Sequence, residues 1–404
     1  MVSKKVMFIS YGGGHANIAR LVYKGLRERE DIEIKVLALT MAAKIFVQYH
    51  IPFVTSSNYL DLFEDKEQIE RYGQKLAETC WNKESGMAYK DSVAYLGFGY
   101  RDLVNQYGRE EAENLFRRKE RKAFWPVEVM KTILLYENPD ALVITCGVRS
   151  EGAAGVAANQ LGIPVIRIAD LPTYESSNCD CKLCVMNEYA KQFAIKEYGI
   201  NEKNIVITGQ PVFEDNLIVK KESVNISRHK IRIDEFDKMV LYLEETGVEE
   251  TGEVEKYLKK LATIRTDLLF IFKMHPNQSL DKNYWASNNV LVVRDFNLKD
   301  LLFLCDVAIT KDSTAGMEAV LMGKPLINLM LSDSILDYAD YNISERITEL
   351  DHLDTVINEC LDKCSETYQR LKRGRDFFSN KQGAVDNIIG VILDELEKRN
   401  RMEE

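Results

Sequence analysis

The sequence lacks a surplus of positive charge, a long apolar run, a disulfide framework and internal repeats. It holds 53 Lys and Arg against 63 Asp and Glu, a formal net charge of −10. That balance argues against nucleic acid as the main partner, because phosphate backbones are met by basic surfaces. No stretch reaches the roughly 20 apolar residues that a spanning helix needs. Met1-Val-Ser-Lys-Lys5 leads into an apolar strand and not into a signal peptide. A cytoplasmic location is therefore expected, with peripheral membrane contact left open. Eight cysteines in 404 residues, without a secretion signal, read as reduced thiols. Repeats of solenoid length and low-complexity tracts are missing too, which excludes repeat arrays and disordered scaffolds.

What is present is an α/β alternation that runs twice. A hydrophobic content of 46% with 29% charged residues is ordinary for a soluble globular protein, and the length suffices for two cores. Lys5–Ser10 reads as a buried strand that ends at three glycines. Ile18, Leu21, Val22 and Leu26 then follow at helical spacing, and Glu33–Leu39 is the next strand. Such a βαβ unit places ligands at the carboxyl ends of its strands. The rhythm returns at Ala141–Thr145, Pro164–Ala169 and Asn204–Thr208. It resumes at Met239–Leu243, Leu268–Lys273, Asn289–Val293, Val307–Thr310 and Pro325–Leu329. The boundaries expected are a first domain over 1–212 with a helical elaboration at about 41–135, a polar linker over 213–237, a second domain over 238–380, and a C-terminal helix over 381–404. The elaboration carries the densest basic segment, Arg117–Lys122, beside Phe124-Trp125. A solvated helix face explains it most simply.

The chemistry concentrates in three places. Asp312-Ser-Thr-Ala-Gly-Met-Glu318 follows a short buried strand and opens a helix that closes at Gly323-Lys-Pro325. A helix start offers unpaired N–H groups and a positive dipole end, suited to a diphosphate. Capping by Asp312 or Ser313 is compatible with the same geometry. Upstream lies Lys273-Met-His-Pro276, with His275 at the end of a strand. Near the N-terminus, Tyr11-Gly-Gly-Gly-His15 lets backbone approach a ligand closely.

Taken together, Lys-x-His-Pro, Asp-Ser-Thr-Ala-x-x-Glu-Ala and Gly-Lys-Pro resemble the C-terminal half of GT-B glycosyltransferases. The likeness is to those that build bacterial capsules, sialic-acid polymers and peptidoglycan precursors, and to the related UDP-N-acetylglucosamine 2-epimerases. Ser10–His15 resembles the glycine-rich loop of the lipid-II-forming N-acetylglucosaminyltransferase, and Thr208-Gly-Gln-Pro-Val212 resembles that enzyme's domain junction. The resemblance implies two Rossmann-like, doubly wound domains facing a central cleft, the first on the acceptor side and the second holding a nucleotide-sugar, UDP-linked by analogy.

On that footing His15 would be general base and His275 would aid phosphate departure. Gly12, Gly13, Gly14, Gly209, Lys273, Ser313, Thr314, Ala315, Gly316 and Glu318 would line the donor, with Glu318 on ribose hydroxyls. Arg149 and Asp170, after strands of the first domain, would face the acceptor, a hydroxyl or lipid-linked glycan. Asp170 is the alternative base. Glu244-Glu-Thr-Gly247 departs from the glycine- or serine-rich loop of many GT-B enzymes. No organic cofactor is implied, and an Asp-x-Asp motif of metal-dependent GT-A enzymes is missing. Cys179, Cys181 and Cys184 offer three thiols that a structural zinc would use if a fourth ligand joined them. The activity expected is metal-independent sugar transfer in surface-glycan assembly. The alternatives are a hydrolysing 2-epimerase or nucleotide-sugar hydrolase, and a non-catalytic nucleotide-sugar-binding protein.

Overall fold

A computed structural model of the protein describes residues 3–82, 86–172, 179–216, 218–244, 251–274, 288–311, 313–331 and 337–403. The chain divides into two compact units, Met1–Val212 with Lys381–Glu404, and Phe213–Asn380. Among the described residues each unit holds one six-stranded, wholly parallel sheet.

In the first unit the sheet order is β2-β1-β3-β4-β5-β6. The strands are β1 (Lys4–Ser10), β2 (Ile32–Ala38), β3 (Ala141–Ile144), β4 (Val165–Ile168), β5 (Lys182–Val185) and β6 (Ile205–Ile207). Successive side chains of a strand point to opposite faces, and here both faces are covered. Val6 and Phe8 join one core layer with Ile18, Val22 and Leu26 of the Gly13–Leu26 helix. Ile388, Val391 and Ile392 complete that layer, so the C-terminal Ala384–Glu403 helix packs on the first unit although the second unit separates them in sequence. Met7 and Ile9 point the other way, into a layer closed by the Lys66–Cys80, Tyr89–Tyr107 and Val127–Glu137 helices. The helical elaboration is thus one wall of the core.

The second unit has the order β12-β11-β10-β7-β8-β9. Its strands are β7 (Lys238–Leu243), β8 (Leu268–Lys273), β9 (Val290–Val293), β10 (Val307–Thr310), β11 (Leu326–Leu329) and β12 (Glu345–Ile347). Counted within the unit from the β9 edge, this is 3-2-1-4-5-6, the doubly wound Rossmann order. The order reverses between β7 and β10, and in the first unit between β1 and β3. Open α/β sheets bind ligands at such points.

Two strands, β5 and β12, go beyond the sequence expectation. The first hides in the cysteine-rich stretch. The expected linker is also different: Lys221–Ile231 is a helix that buries Val224, Ser227 and Ile231. The Ser223 and Ser227 hydroxyls both donate to the buried Asp300 carboxylate, at 2.5 and 2.8 Å, which ties this helix to Leu298–Leu304. The segment looked irregular because its apolar residues are few, and of these Val224 and Ile231 are buried while Ile226 is exposed.

The Lys66–Cys80 and Tyr89–Tyr107 helices cross at reciprocal glycines. A Cβ on Gly73 would lie 1.9 Å from the Val93 carbonyl oxygen, and one on Gly97 would lie 2.2 Å from that of Ile69. Neither backbone can yield without parting the helices. Gly97→Ala is expected to cost about 1–3 kcal/mol through overpacking, seen as a lower urea midpoint. An unchanged midpoint would contradict this close packing.

Candidate active site

At the carboxyl end of β1 the chain turns through Tyr11 and Gly12 into the Gly13–Leu26 helix, whose first full bond runs from the Ala16 N–H to the Gly12 carbonyl at 2.9 Å. None of Gly12, Gly13 and Gly14 has a positive φ, and a Cβ on any of them would meet nothing within 4 Å. Neither strain nor packing asks for glycine here. Their effect is to leave backbone open on one side.

His15 stands in the first turn of this helix and is clasped by two carboxylates. Its Nδ1 lies 3.1 Å from Glu151 Oε1 and its Nε2 3.3 Å from Asp170 Oδ2. Burial disfavours the imidazolium, but the hydrogen bonds to Asp170 and Glu151 outweigh it and raise the His15 pKa from 6.5 to about 10. Both ring nitrogens therefore donate at neutral pH in the ligand-free site. Both ring nitrogens, the atoms a base role would use, face carboxylates here. The carboxylate on its outer side, Asp170, has a side chain 35% exposed.

Glu151 is a residue that the sequence reading missed. It is fully buried in the first turn of the Arg149–Gln160 helix, after β3. Its Oε1 accepts from the Tyr11 N–H at 2.7 Å as well as from His15, while Oε2 accepts from the Thr145 and Cys146 N–H groups and the Thr145 hydroxyl at 2.7, 3.0 and 3.0 Å. One carboxylate thereby joins the ends of β1 and β3 to His15. Arg149, its neighbour, holds φ at +52° and lays its guanidinium 5.0 Å from the centre of the Tyr11 ring. Thr40, at φ +49°, donates its hydroxyl to the Tyr11 carbonyl. Two left-handed non-glycine residues beside one turn mark strain of about 1–3 kcal/mol each, a frequent feature of functional loops.

Of the remaining candidates in this unit, Gly209 holds φ at +85°, and a Cβ there would lie 2.1 Å from the Lys381 carbonyl oxygen. Its neighbour Gln210 reaches the active-site group: Nε2 donates to the Asp170 carbonyl at 3.2 Å. The three cysteines do not share a centre. Cys179 packs in the layer of Met7 and Ile9, whereas Cys184 points into the layer of Val6 and Phe8 across the sheet. Among the described residues no group of three or more His, Cys, Asp or Glu could hold a metal ion.

In the second unit, Ser313, Thr314, Ala315, Gly316 and Glu318 gather after β10, at the switch point. His275, Pro276, Asp312 and Glu245–Gly247 lie outside the described residues. Ser313 caps the turn: its Oγ accepts from the Ala315 N–H at 3.3 Å and its carbonyl from the Gly316 N–H at 2.9 Å. The Gly316 amide is thus engaged within the turn. Tyr338 donates its hydroxyl to the Ser313 carbonyl at 2.5 Å, and Asn328 donates to the Lys311 carbonyl at 2.6 Å while accepting from the Tyr338 N–H at 3.0 Å. Lys273, at the end of β8, donates to the Met274 and Arg294 carbonyls at 3.1 and 2.7 Å. Burial lowers its pKa, with Asp295 opposing and Arg294 adding to the effect.

Glu318 differs from all of these. Among the described residues its carboxyl has no hydrogen bond or ion pair, and burial lifts its pKa from 4.5 to about 7, with only Lys299 acting against the rise. A desolvated carboxyl at the switch point of an open α/β sheet is a combination that often accompanies binding sites.

Residues 155–386 match the family model of CDP-glycerol:poly(glycerophosphate) glycerophosphotransferase. That span takes in Asp170 and all of the second unit, and begins just after Glu151. In sequence, no curated protein matches the chain. Solved structures with the same GT-B fold include a putative UDP-N-acetylglucosamine 2-epimerase from Listeria monocytogenes, 14% identical over 97% of this chain and 95% of that one, with a TM-score of 0.59. MnaA of S. aureus, solved with UDP, is 15% identical over 98% and 97%, at 0.61. A glycosyltransferase from Rickettsia africae is 12% identical over 98% of each chain, at 0.54. The two Rossmann-like domains expected from the sequence are thus found.

A carboxyl whose pKa rises on folding is bound by its proton more tightly in the folded state, so its ionised form opposes folding. The stability of the wild type is spared this effect below pH 4.5 and loses ground as pH climbs through 7. Glu318→Gln is expected to raise stability at pH 8 by about 2 kcal/mol and to change it little at pH 4.5. Thermal melts at the two pH values check this, and equal shifts at both would refute it.

Proposed function

This chain belongs to the CDP-glycerol:poly(glycerophosphate) glycerophosphotransferase family, and from that premise we propose that it moves the group carried by a nucleoside-diphosphate-linked donor onto a hydroxyl acceptor. Family and fold put it among transferases of the glycosyltransferase type. The observation that carries the proposal is the His15 cluster: a buried carboxylate, an imidazolium and an outer carboxylate in line, beside an open glycine loop. Unit 2 would supply the nucleotide end, through the 313–318 segment and Glu318 on the ribose hydroxyls. Lys273 and His275, by resemblance, would serve the phosphates.

In the reaction so proposed, Asp170 accepts the proton of the acceptor hydroxyl as that oxygen forms its new bond. His15, held as imidazolium by Glu151, orients Asp170 and keeps positive charge beside the anionic donor. Arg149 and the glycine-loop amides add to that positive side. The family favours attack at phosphorus: the new oxygen–phosphorus bond forms, the diphosphate bridge breaks, and a nucleoside monophosphate leaves. The Lys273–Pro276 and 312–327 motifs favour a second reading, attack at a sugar carbon with a nucleoside diphosphate leaving. Without an Asp-x-Asp motif in the sequence, no divalent cation is assigned to either route. The setting inferred is surface-glycan or glycoconjugate assembly at the cytoplasmic side. A hydrolysing epimerase stays as the alternative because solved epimerases share the fold over nearly the whole chain.

Calorimetric titration with CDP-glycerol, CMP and UDP-N-acetylglucosamine tests the donor. One nucleotide is expected to bind, and Glu318→Gln to weaken it by about tenfold, the loss of one good hydrogen-bonded contact. Asp170→Asn is expected to lower kcat by about 10²–10⁴ with donor affinity kept. No binding by any of the three ligands, or an Asp170→Asn enzyme of wild-type rate, would contradict the proposal.

A further inference from the structure

The helical elaboration of the first unit contains a cavity of about 790 Å³ that the proposed reaction does not use. It lies among the Lys66–Cys80, Tyr89–Tyr107 and Arg109–Lys119 helices, in the range of ligand pockets. These helices precede the family-matched residues 155–386, so the cavity belongs to a part of this chain that the family description leaves unassigned.

Its walls have two distinct chemistries. Tyr72, Tyr100 and Phe116 form an aromatic wall, with Tyr72 and Tyr100 edge to face at 5.1 Å and Tyr100 and Phe116 likewise at 6.0 Å. The rim is made of exposed charged side chains of both signs, Lys75 and Arg109 among the donors and Glu78 among the acceptors. An apolar ligand would leave this rim desolvated without partners, and a bare anion would meet the carboxylates as well as the cations. A hydroxyl-rich chain satisfies both. Its C–H faces lie on aromatic rings, while each hydroxyl donates to a carboxylate and accepts from a lysine or arginine.

The cavity is also tied to the reacting end. From Phe116 the rings continue to Phe124 at 5.6 Å, to Tyr95 at 6.2 Å and to Tyr11 at 5.9 Å, and Tyr11 opens the glycine loop that leads to His15. Every member of this series is in the first unit, so cavity and His15 cluster share one packed body. We infer that this cavity is a second binding site for the acceptor, holding a hydroxyl-rich carbohydrate or polyol segment of the chain several units away from the hydroxyl that reacts. The identity of the occupant as acceptor rests on the transferase reading above. The binding itself does not.

The test uses the full-length protein with two probes, a poly(glycerophosphate) oligomer and a neutral N-acetylglucosamine oligomer, titrated calorimetrically without donor. Lys75→Glu changes an exposed side chain, and Tyr72→Phe serves as the folded control for Tyr72→Ala. At least one probe should bind the wild type, with Lys75→Glu and Tyr72→Ala each raising its Kd by at least about tenfold and Tyr72→Phe by little. A salt-dependent Kd would identify the polyol phosphate as the source, and a salt-independent one the neutral glycan. With active protein, the same variants should raise KM for the oligomeric acceptor and leave kcat with a monomeric acceptor unchanged. Failure of both oligomers to bind, or binding that the variants do not weaken, would overturn the inference. Oligomer binding without transfer from any donor would instead overturn the transferase reading and leave the site standing.

Discussion

The Glu151 carboxylate is the interaction on which the first unit's active end depends. A buried, ionisable group costs several kcal/mol unless donors surround it. Glu151 is fully buried and collects three backbone N–H groups, one hydroxyl and the His15 ring. Hydrogen bonds to a charged group are worth about 1.5–3 kcal/mol each, so the set offsets the desolvation and fixes geometry as well. The N–H donors come from Tyr11, after β1, and from Thr145 and Cys146, after β3. These are the two strands between which the sheet order reverses. One side chain thus closes the crevice that the topology opens, and aims His15 at Asp170.

The two units treat charge in opposite ways. His15, Glu151 and Asp170 are paired with one another, and the pKa shift there comes from pairing that overcomes burial. At the 313–318 segment the Ala315 and Gly316 N–H groups are engaged by Ser313, and desolvation raises the Glu318 pKa with only Lys299 acting against it. A paired cluster fixes the geometry of its members. A desolvated carboxyl costs stability once it ionises. The two arrangements differ in energetics: paired charge in one unit, a desolvated carboxyl in the other.

Much of this was legible in the sequence because the signals are local. The strands around Val6–Ile9 and Val307–Thr310 announce themselves as short apolar runs followed by small residues, and Gly12–His15 marks the strand-to-helix turn within four consecutive positions. Glu151 was not legible, since its partners Tyr11 and His15 stand 140 and 136 residues away. The one available hint was an acidic residue in the first turn after a buried strand, ahead of Gly152 and Ala153. Lys182–Val185 was masked by its cysteines, whose spacing suggested a metal although Cys184 and Cys179 pack in different core layers. Lys221–Ile231 looked like linker because three buried residues suffice for a helix that docks through serine hydroxyls. The aromatic wall of the elaboration needs Tyr72, Tyr100 and Phe116 from three helices, and only tertiary packing brings them together.

The central claim is acceptor-dependent transfer from a nucleotide-linked donor, and phosphorus NMR of the reaction reads it directly. The protein would be incubated with CDP-glycerol and a hydroxyl-bearing acceptor, and in parallel with UDP-N-acetylglucosamine. The account predicts a new phosphodiester signal with release of CMP, only when acceptor is present, or release of UDP under the same condition if the carbon route operates. Consumption of either donor at the same rate without acceptor would contradict transfer and point to hydrolysis or epimerisation on this fold.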